Sequence, residues 1–208
     1  MSPSHRIYFH NHASEFLHEI IDRSENRPIT LLVCSTREHF LEQLVATIRN
    51  RADGAAAPED HHLLIRTLGL LSKSAKIKLV FCPSIESLRA YISVLDMGRV
   101  TPREESHRPL LAVLDLLALH RTSAELTAQG LSRTLAAMVE VTSRQGVDVD
   151  LCECTNPLEG EDSLRGETLW DAKVPLANGT RPEDGILRGR LVSPKRIAQR
   201  WFKFDADG

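Results

Sequence analysis

Three short apolar runs, each followed by a segment with helical spacing, constrain the fold of this chain more than any other feature. The runs cover residues 29–34, 77–82 and 110–115. The first of them, residues 29–34, is a continuous apolar run, which indicates a strand that is buried on both faces of a sheet. Strands that alternate with helices connect through right-handed crossovers and form a mostly parallel, doubly wound sheet. The sequence therefore predicts an α/β fold.

The remaining segments add helices and a closing unit to this sheet. Residues 14–22 carry apolar side chains at helical spacing, and a long helix is predicted to stop at Gly146. Residues 147–152 alternate apolar and polar side chains, which is typical of a strand with one wetter face near an edge. Two segments, 188–192 and 200–204, are predicted to close the fold as an antiparallel hairpin.

Length and composition indicate one soluble, intracellular domain. At 208 residues the chain is long enough for one well-buried core. We expect residues 1–27 to form an N-terminal helical extension and residues 28–208 to form the α/β domain. The longest apolar run, 110–119, is too short to span a bilayer, so no membrane contact is predicted. The N-terminus has no apolar core of secretory type, so the four cysteines are expected to be reduced.

The turn after the first apolar run is where a doubly wound fold commonly binds its ligand. A phosphate loop there needs glycines, a lysine for the β- and γ-phosphates and a Ser or Thr for Mg²⁺. Here the turn holds Ser35, Thr36 and Arg37 with neither glycine nor lysine, and either Ser35 or Thr36 caps the next helix. Glu38 adds a negative charge that disfavours phosphate. The turn is therefore a degenerate nucleotide-loop position, and ATP hydrolysis is not expected.

Asp115 ends the most apolar run of the chain. A Walker B strand has the same form, with an acid that holds Mg²⁺ through water. Many buried parallel strands also end in Asp because its side chain caps the next turn, so a structural interpretation stands beside the Walker-B-like one. No catalytic residue and no cofactor are assigned.

Cysteine chemistry offers two alternatives. The cysteines fall near the carboxyl ends of predicted strands and could be drawn as one four-thiolate site: Cys34, Cys82, Cys152 and Cys154. Structural zinc sites place cysteines in close pairs on turns, and buried cysteine is a common small apolar residue, so no metal is predicted. A nucleophile pair of Cys34 with His39 stays open as an enzymatic hypothesis.

The densest basic cluster lies in the C-terminal segment and is interleaved with aromatic residues. The formal net charge is −2, so any nucleic-acid contact must come from such a local patch. Cations neutralise phosphates and aromatic rings stack on bases. The interpretation that competes with nucleic-acid binding places Trp201, Phe202 and Phe204 partly in the core, and a partner surface is a third interpretation. Strand alternation places Phe202 and Phe204 opposite Lys203. The candidate nucleic-acid or partner contacts are Arg188, Arg190, Lys195, Arg196, Arg200, Trp201 and Lys203.

The order of these elements resembles the RecA-like core. The resemblance rests on a strand that enters a degenerate phosphate-loop turn, a later apolar strand that ends in Asp115, a closing antiparallel unit, and segments 131–135 and 201–204. It covers roughly residues 28–205. The chain is most similar in pattern to small recombinase paralogues that have lost the phosphate loop, the Shu-type recombination mediators. Because the glycines and lysine of that loop are missing, only Asp115 matches a position of the family's nucleotide site.

This resemblance implies a nuclear, non-catalytic RecA-like accessory protein of homologous recombination and DNA repair, with no cofactor. Its expected partners are RecA-like chains in a heteromer, together with single-stranded DNA if the basic cluster contacts nucleic acid. The RecA-like subunits of Elongator share the same core and also lack an intact loop. A cytoplasmic scaffold for tRNA modification is therefore the alternative.

Overall fold

The computed structural model describes residues 2–24, 27–52, 63–65, 67–98, 108–159, 165–176 and 191–205. The strands of this part of the chain are β1 (His5–Tyr8), β2 (Ile29–Val33), β3 (Ile77–Phe81), β4 (Leu110–Leu114), β5 (Asp148–Cys152), β6 (Val174–Pro175), β7 (Leu191–Val192) and β8 (Lys203–Phe204). The helices are α1 (Ala13–Arg23), α2 (Arg37–Ala52), α3 (Leu68–Ser74), α4 (Ile85–Ser93), α5 (Leu116–Arg121), α6 (Ala128–Gln145), α7 (Thr168–Asp171) and α8 (Pro194–Ala198).

Six strands form one sheet in the order β3-β2-β4-β5-β1-β8, and each neighbouring pair is parallel. The short strands β6 and β7 pair separately as an antiparallel unit. The predicted α/β architecture, with a mostly parallel sheet and a C-terminal antiparallel pair, is confirmed. Among the described residues, no helix is both long and apolar enough to cross a bilayer.

The helices cover both faces of the sheet according to the direction of each crossover. The steps from β1 to β2 and from β2 to β3 run toward the β3 edge, and they place Phe16 of α1 and Phe40 of α2 in one core cluster. The steps from β3 to β4, β5 and β8 run the other way and place Leu88 of α4, Leu131 of α6 and Ile197 of α8 in the second cluster. When all crossovers have the same handedness, connections that run in opposite directions along the sheet must place their helices on opposite faces.

Strand β4 lies inside the sheet and supplies side chains to both clusters. Leu110, Ala112 and Leu114 face one cluster, and Leu111 and Val113 face the other. All five residues are fully buried. This explains why the strand reads as a continuous apolar run, since alternation is lost when both faces are covered.

The prediction that residues 147–152 lie near an edge is wrong. Strand β5 lies between β4 and β1. Its acidic residues are balanced by arginines from α1 and the loop that follows α1: Arg23 donates to Asp150 at 2.6 Å, and Arg27 donates to Asp148 at 3.0 Å. The alternation of apolar and polar residues in this strand therefore reflects internal ion pairs and not contact with solvent.

The N-terminal residues are more than a helical extension. The predicted helix is present as α1, but His5–Tyr8 forms a strand that pairs with β5 on one side and β8 on the other. Only Ile7 and Tyr8 of this strand are buried, so four residues of mixed polarity do not produce a strand signal.

The predicted pairing of residues 188–192 with 200–204 is also wrong. Leu191 and Val192 pair with β6, whereas Lys203 and Phe204 join the large sheet in parallel with β1. Strands of two residues are too short to show a period, so the sequence could not identify their partners. Residues 188–190 lie outside the described residues.

Candidate functional site

The sheet has a topological switch point between β2 and β4. From β2 the chain crosses to β3 on one side, and from β4 it crosses to β5 on the other. In doubly wound sheets the crevice beyond the carboxyl ends of two such strands is the usual ligand site. A cleft of about 170 Å³ occupies this position, and its lining is Cys34, Ser35, Thr36, His39, Gln43, Pro83, Asp115, Ala118, Leu119, Thr122 and Arg165.

The turn after β2 contributes two of the three predicted loop residues. The hydroxyl of Thr36 accepts the N–H of His39 at 3.2 Å, so Thr36 is the residue that caps α2. Ser35 donates to the carbonyl of Thr36 at 3.2 Å. Arg37 is exposed and does not line the cleft. The structure therefore brings Ser35 and Thr36 to the cleft and leaves Arg37 outside it.

Asp115 is held tightly at the end of β4. Its backbone is in the left-handed region, with φ of 62° and ψ of 40°, which lets the chain turn at once into α5. Its carboxylate accepts the N–H of Cys154 at 2.9 Å. Burial raises the pKa of Asp115 to about 6, although the Cys154 N–H, Arg165, Gln43 and His39 oppose this change.

A second acid, Glu153, is buried behind Asp115. Its two carboxylate oxygens accept the N–H groups of Leu117 at 2.6 Å and Ala118 at 3.2 Å, which satisfies the first turn of α5. Burial raises the pKa of Glu153 well above its usual value, and the neighbouring Asp115 carboxylate adds to the rise. Both acids follow strand ends, and that shared position is the sequence signal that could have identified Glu153.

Side chains from distant parts of the chain complete the cleft. Arg165 donates through Nε to Glu159 at 2.8 Å, and its charge opposes the pKa rise of Asp115. Gln43 donates to the carbonyl of Thr155 at 3.3 Å. His39 Nε2 lies 3.3 Å from the Asn156 side-chain amide nitrogen. Most polar groups of the cleft are thus already bonded to the protein itself. No local pattern marks these residues, because only tertiary packing brings them together.

The positions of the four thiols argue against a single four-thiolate site. Cys34 and Cys82 belong to one core cluster, whereas Cys152 and Cys154, with sulfurs 3.7 Å apart, belong to the cluster on the opposite face. The sheet therefore separates the four thiols. Within the described ranges, no three or more His, Cys, Asp or Glu side chains are grouped to hold a metal ion.

Cys34 and His39 do line the same cleft. Burial raises the pKa of the Cys34 thiol well above its usual value, with Glu153, Cys82 and Asp115 acting in the same direction. A thiol in this environment resists conversion to the nucleophilic thiolate. The geometry therefore offers little support for a nucleophile pair.

The basic C-terminal segment divides into buried and exposed parts. Lys195 is half-buried and lies 5.9 Å and 5.5 Å from the ring centres of Phe9 and Phe204. Phe202 is buried in the core, and Trp201 packs against it. Three cations are exposed around α8 and β8: Arg196, Arg200 and Lys203.

The other predicted contacts in this segment lie outside a strand or outside the described residues. Arg200 and Trp201 lie in the turn after α8, so the predicted strand alternation applies only from Lys203 onward. Arg188 and Arg190 lie outside the described residues.

The fold and its cleft define a doubly wound α/β protein whose switch point is filled by its own polar side chains. The model of the SPAC22G7.03-like family matches residues 13–156, which is more than half of the chain. The chain belongs to the SPAC22G7.03-like family. The matched region contains β2 to β5 with Asp115, and it ends before β8 and the three exposed cations. A search of curated proteins finds no match.

Proposed function

We propose that this chain is a non-catalytic, RecA-like accessory protein of homologous recombination and DNA repair, which acts in the nucleus in a heteromer with RecA-like partners. The observation that supports this proposal best is the state of the switch-point cleft. Its position suits a nucleotide, but polar groups of the cleft bond to the protein, and the described residues that line it form no phosphate cradle.

The carboxyl ends of β1, β2, β3 and β4 supply no phosphate loop. The turns that lead from β1, β2, β3 and β4 into the next helix contain neither glycine nor lysine. Without glycine the backbone N–H groups cannot wrap closely around phosphates, and without lysine the β- and γ-phosphates have no fixed counter-charge. These turns therefore support a role that does not depend on nucleotide hydrolysis.

The Walker-B-like position supports the same interpretation. A Walker B acid must face an open space in which Mg²⁺ and water fit. Asp115 lines the cleft, but its Oδ1 accepts the N–H of Cys154 and the residue is only 5% exposed, which leaves little room for a hydrated ion. A cleft of about 170 Å³ is also smaller than the roughly 300 Å³ at which ligand pockets begin.

The exposed cations near β8 support a nucleic-acid contact as part of this function. Arg196, Arg200 and Lys203 are solvent-accessible and come from adjacent elements at one edge of the sheet. Such side chains can neutralise the phosphates of single-stranded DNA. Phe202 is unavailable for base stacking because it is buried in the core.

Affinity purification of the tagged full-length chain from cells, followed by mass spectrometry, tests the proposal. Recombinase paralogues among the stoichiometric partners are the expected result. Elongator subunits would instead favour the cytoplasmic tRNA-modification scaffold. ATP hydrolysis by the purified chain that disappears in Asp115→Ala would overturn the non-catalytic role.

A further inference from the structure

Strand β3 forms one outer edge of the sheet, and within the described residues no strand pairs with its free side. The N–H of Cys82 donates to the carbonyl of Val33 on β2 at 2.9 Å, so even-numbered residues along β3 turn their backbone groups inward. The odd-numbered residues turn theirs outward: Ile77, Leu79 and Phe81. This edge presents a row of backbone donors and acceptors to which a further strand can be added.

Helix α2 lies over this edge of the sheet. The ring of Phe40 on α2 is 5.9 Å from that of Phe81 on β3. Gln43, on one flank of the helix, reaches Thr155 beyond β5 and so marks the flank that faces the middle of the sheet. The opposite flank therefore overhangs the free side of β3.

That outer flank is apolar. Leu41 and Val45 are one helical turn apart and lie on the far side of α2 from Gln43, because each residue advances by about 100°. Their exposed fractions are 45% and 44%, and that of Leu79 on β3 is 48%. Leu79 points to the same face of the sheet as α2, since its strand neighbours of equal parity pack in that core cluster. A strand added to β3 would find an apolar wall on this face.

The other face of the edge carries a cation. Lys78 is exposed, and its Nζ lies 5.6 Å from the ring centre of Tyr91. Edge lysines oppose the pairing of identical edges, because two copies would bring like charges together. The same lysine attracts a strand that places an acid on this face. The charge therefore favours a different chain over a second copy.

We propose that the free edge of β3 takes up an extended segment of a partner protein in which apolar and acidic residues alternate. The apolar side chains pack against Leu79, Leu41 and Val45, and the acidic ones face Lys78. The backbone of the segment pairs with the outward groups of β3. This inference rests on the proposed accessory function in a heteromer, and it deepens that function by naming the surface that holds a partner.

The test uses the isotope-labelled full chain and two short, capped peptides of equal length. Valine alternates with glutamate in one peptide and with lysine in the other. We expect the glutamate peptide to shift the backbone amide signals of β3 and to bind about fivefold more tightly than the lysine peptide, as one cross-strand charge pair predicts.

Two variants locate the contact. Leu79→Pro removes one outward N–H while leaving the inward bonds to β2 in place, so it should reduce binding of the glutamate peptide. Leu79→Thr keeps this N–H and is the matched control for the backbone effect. Lys78→Glu should reverse the preference between the two peptides, and it decides the question if Leu79→Pro fails to fold.

Several outcomes would overturn the inference. The first is an absence of signal changes at β3, and the second is equal affinity for both peptides. The third is a Leu79 amide that is already protected from hydrogen exchange in the free chain, because another segment of this chain would then occupy the edge of β3. A dimer that Leu79→Pro dissociates would assign the edge to a second copy. If the chain forms a heteromer with RecA-like partners but binds neither peptide, this docking site is wrong and the proposed function stands. If it binds the glutamate peptide but no RecA-like partner is found, the docking site stands and the proposed function is wrong.

Discussion

Asp115 and Glu153 support each other's strand ends reciprocally. Asp115 follows β4 and accepts the N–H of Cys154, which lies just beyond β5. Glu153 follows β5 and accepts the N–H groups of Leu117 and Ala118, which lie just beyond β4. Each acid thus fixes the turn that follows the neighbouring strand, and this exchange shapes the floor of the switch-point cleft.

The first prediction concerns the pH dependence of stability. Burial raises the pKa of Asp115 from 3.8 to about 6 in the folded chain, so this group favours folding below about pH 4 and loses that contribution as the pH rises through 6. Asp115→Asn keeps an oxygen acceptor for Cys154 and tolerates the left-handed backbone. The loss of stability of this variant between pH 4 and 7, by urea titration, should be smaller than that of the unaltered chain by on the order of 1–3 kcal/mol. An unchanged pH profile would contradict this.

The second prediction concerns Glu153. Glu153→Ala leaves the N–H groups of Leu117 and Ala118 without their acceptor, and buried unpaired donors cost about 1–3 kcal/mol each. We expect the free energy of unfolding to fall by about 2–5 kcal/mol. Glu159→Ala is a control, because that side chain is 29% exposed and its carboxylate accepts from two side chains, Arg165 and Asn156, and not from backbone N–H groups of a helix. Equal losses for the two variants would argue against a special role for Glu153.

The third prediction concerns the ion pair behind β5. Arg23 donates to Asp150, and burial raises the pKa of Asp150 to about 6 despite this neighbouring charge. Arg23→Met removes the cation that bonds directly to buried Asp150 and leaves only the charges of Arg27 and Arg6 nearby, so stability should fall by about 3 kcal/mol above pH 7 and by less below pH 5. Adding Asp150→Asn should restore part of the loss, which a double-mutant cycle measures. Purely additive losses would show that the two side chains are not coupled.

The fourth prediction compares two helical glycines. A Cβ at Gly130 would lie 2.3 Å from the backbone oxygen of Glu125, so Gly130→Ala should destabilise the chain although alanine is the better helix former. At Gly69 the nearest atom to a Cβ is Thr67 Oγ1 at 4.0 Å. Gly69→Ala should therefore be neutral or stabilising by up to about 1 kcal/mol. Thermal unfolding of both variants provides the test, and equal shifts would contradict it.

The fifth prediction concerns the exposed cations near β8. If Arg196 and Lys203 contact phosphates of single-stranded DNA, changing both to Ala should reduce the salt dependence of binding by about 1.4 in the logarithmic slope. Arg144→Ala is the control, because Arg144 is exposed on α6 and pairs with Glu140. Oligonucleotide affinities at two salt concentrations provide the measurement. An unchanged slope would remove these two residues from the nucleic-acid surface.

Three strands of the sheet are predictable from sequence, but β1 and the interior position of β5 are not. Strands β2, β3 and β4 appear as predominantly apolar runs, and the structure has them at residues 29–33, 77–81 and 110–114. Strand β1 is only four residues long and half of it is polar, so its place in the sheet depends on pairing with residues 149–152. Strand β5 looks like an edge because Arg23 and Arg27, distant in sequence, neutralise its acids.

The residues that line the cleft also divide into those that the sequence predicts and those that it does not. Ser35, Thr36 and Asp115 follow apolar strands directly, so their positions at the carboxyl edge follow from the sequence. Gln43 and Arg165 reach the same cleft from a helix and from a loop beyond β5. No period or motif marks them, because their approach results from packing between elements that are far apart in the chain.

The position of β1 has a consequence for the order of folding. This strand precedes the other strands of the sheet in the chain, yet both its neighbours, β5 and β8, lie more than 140 residues further on. Closing such long loops is slow, because the entropic cost is met before the contacts form. During synthesis on a ribosome, β1 must wait for its first pairing partner until residue 152 has emerged. Completion of the sheet is thus a late, cooperative event that joins strands far apart in the chain.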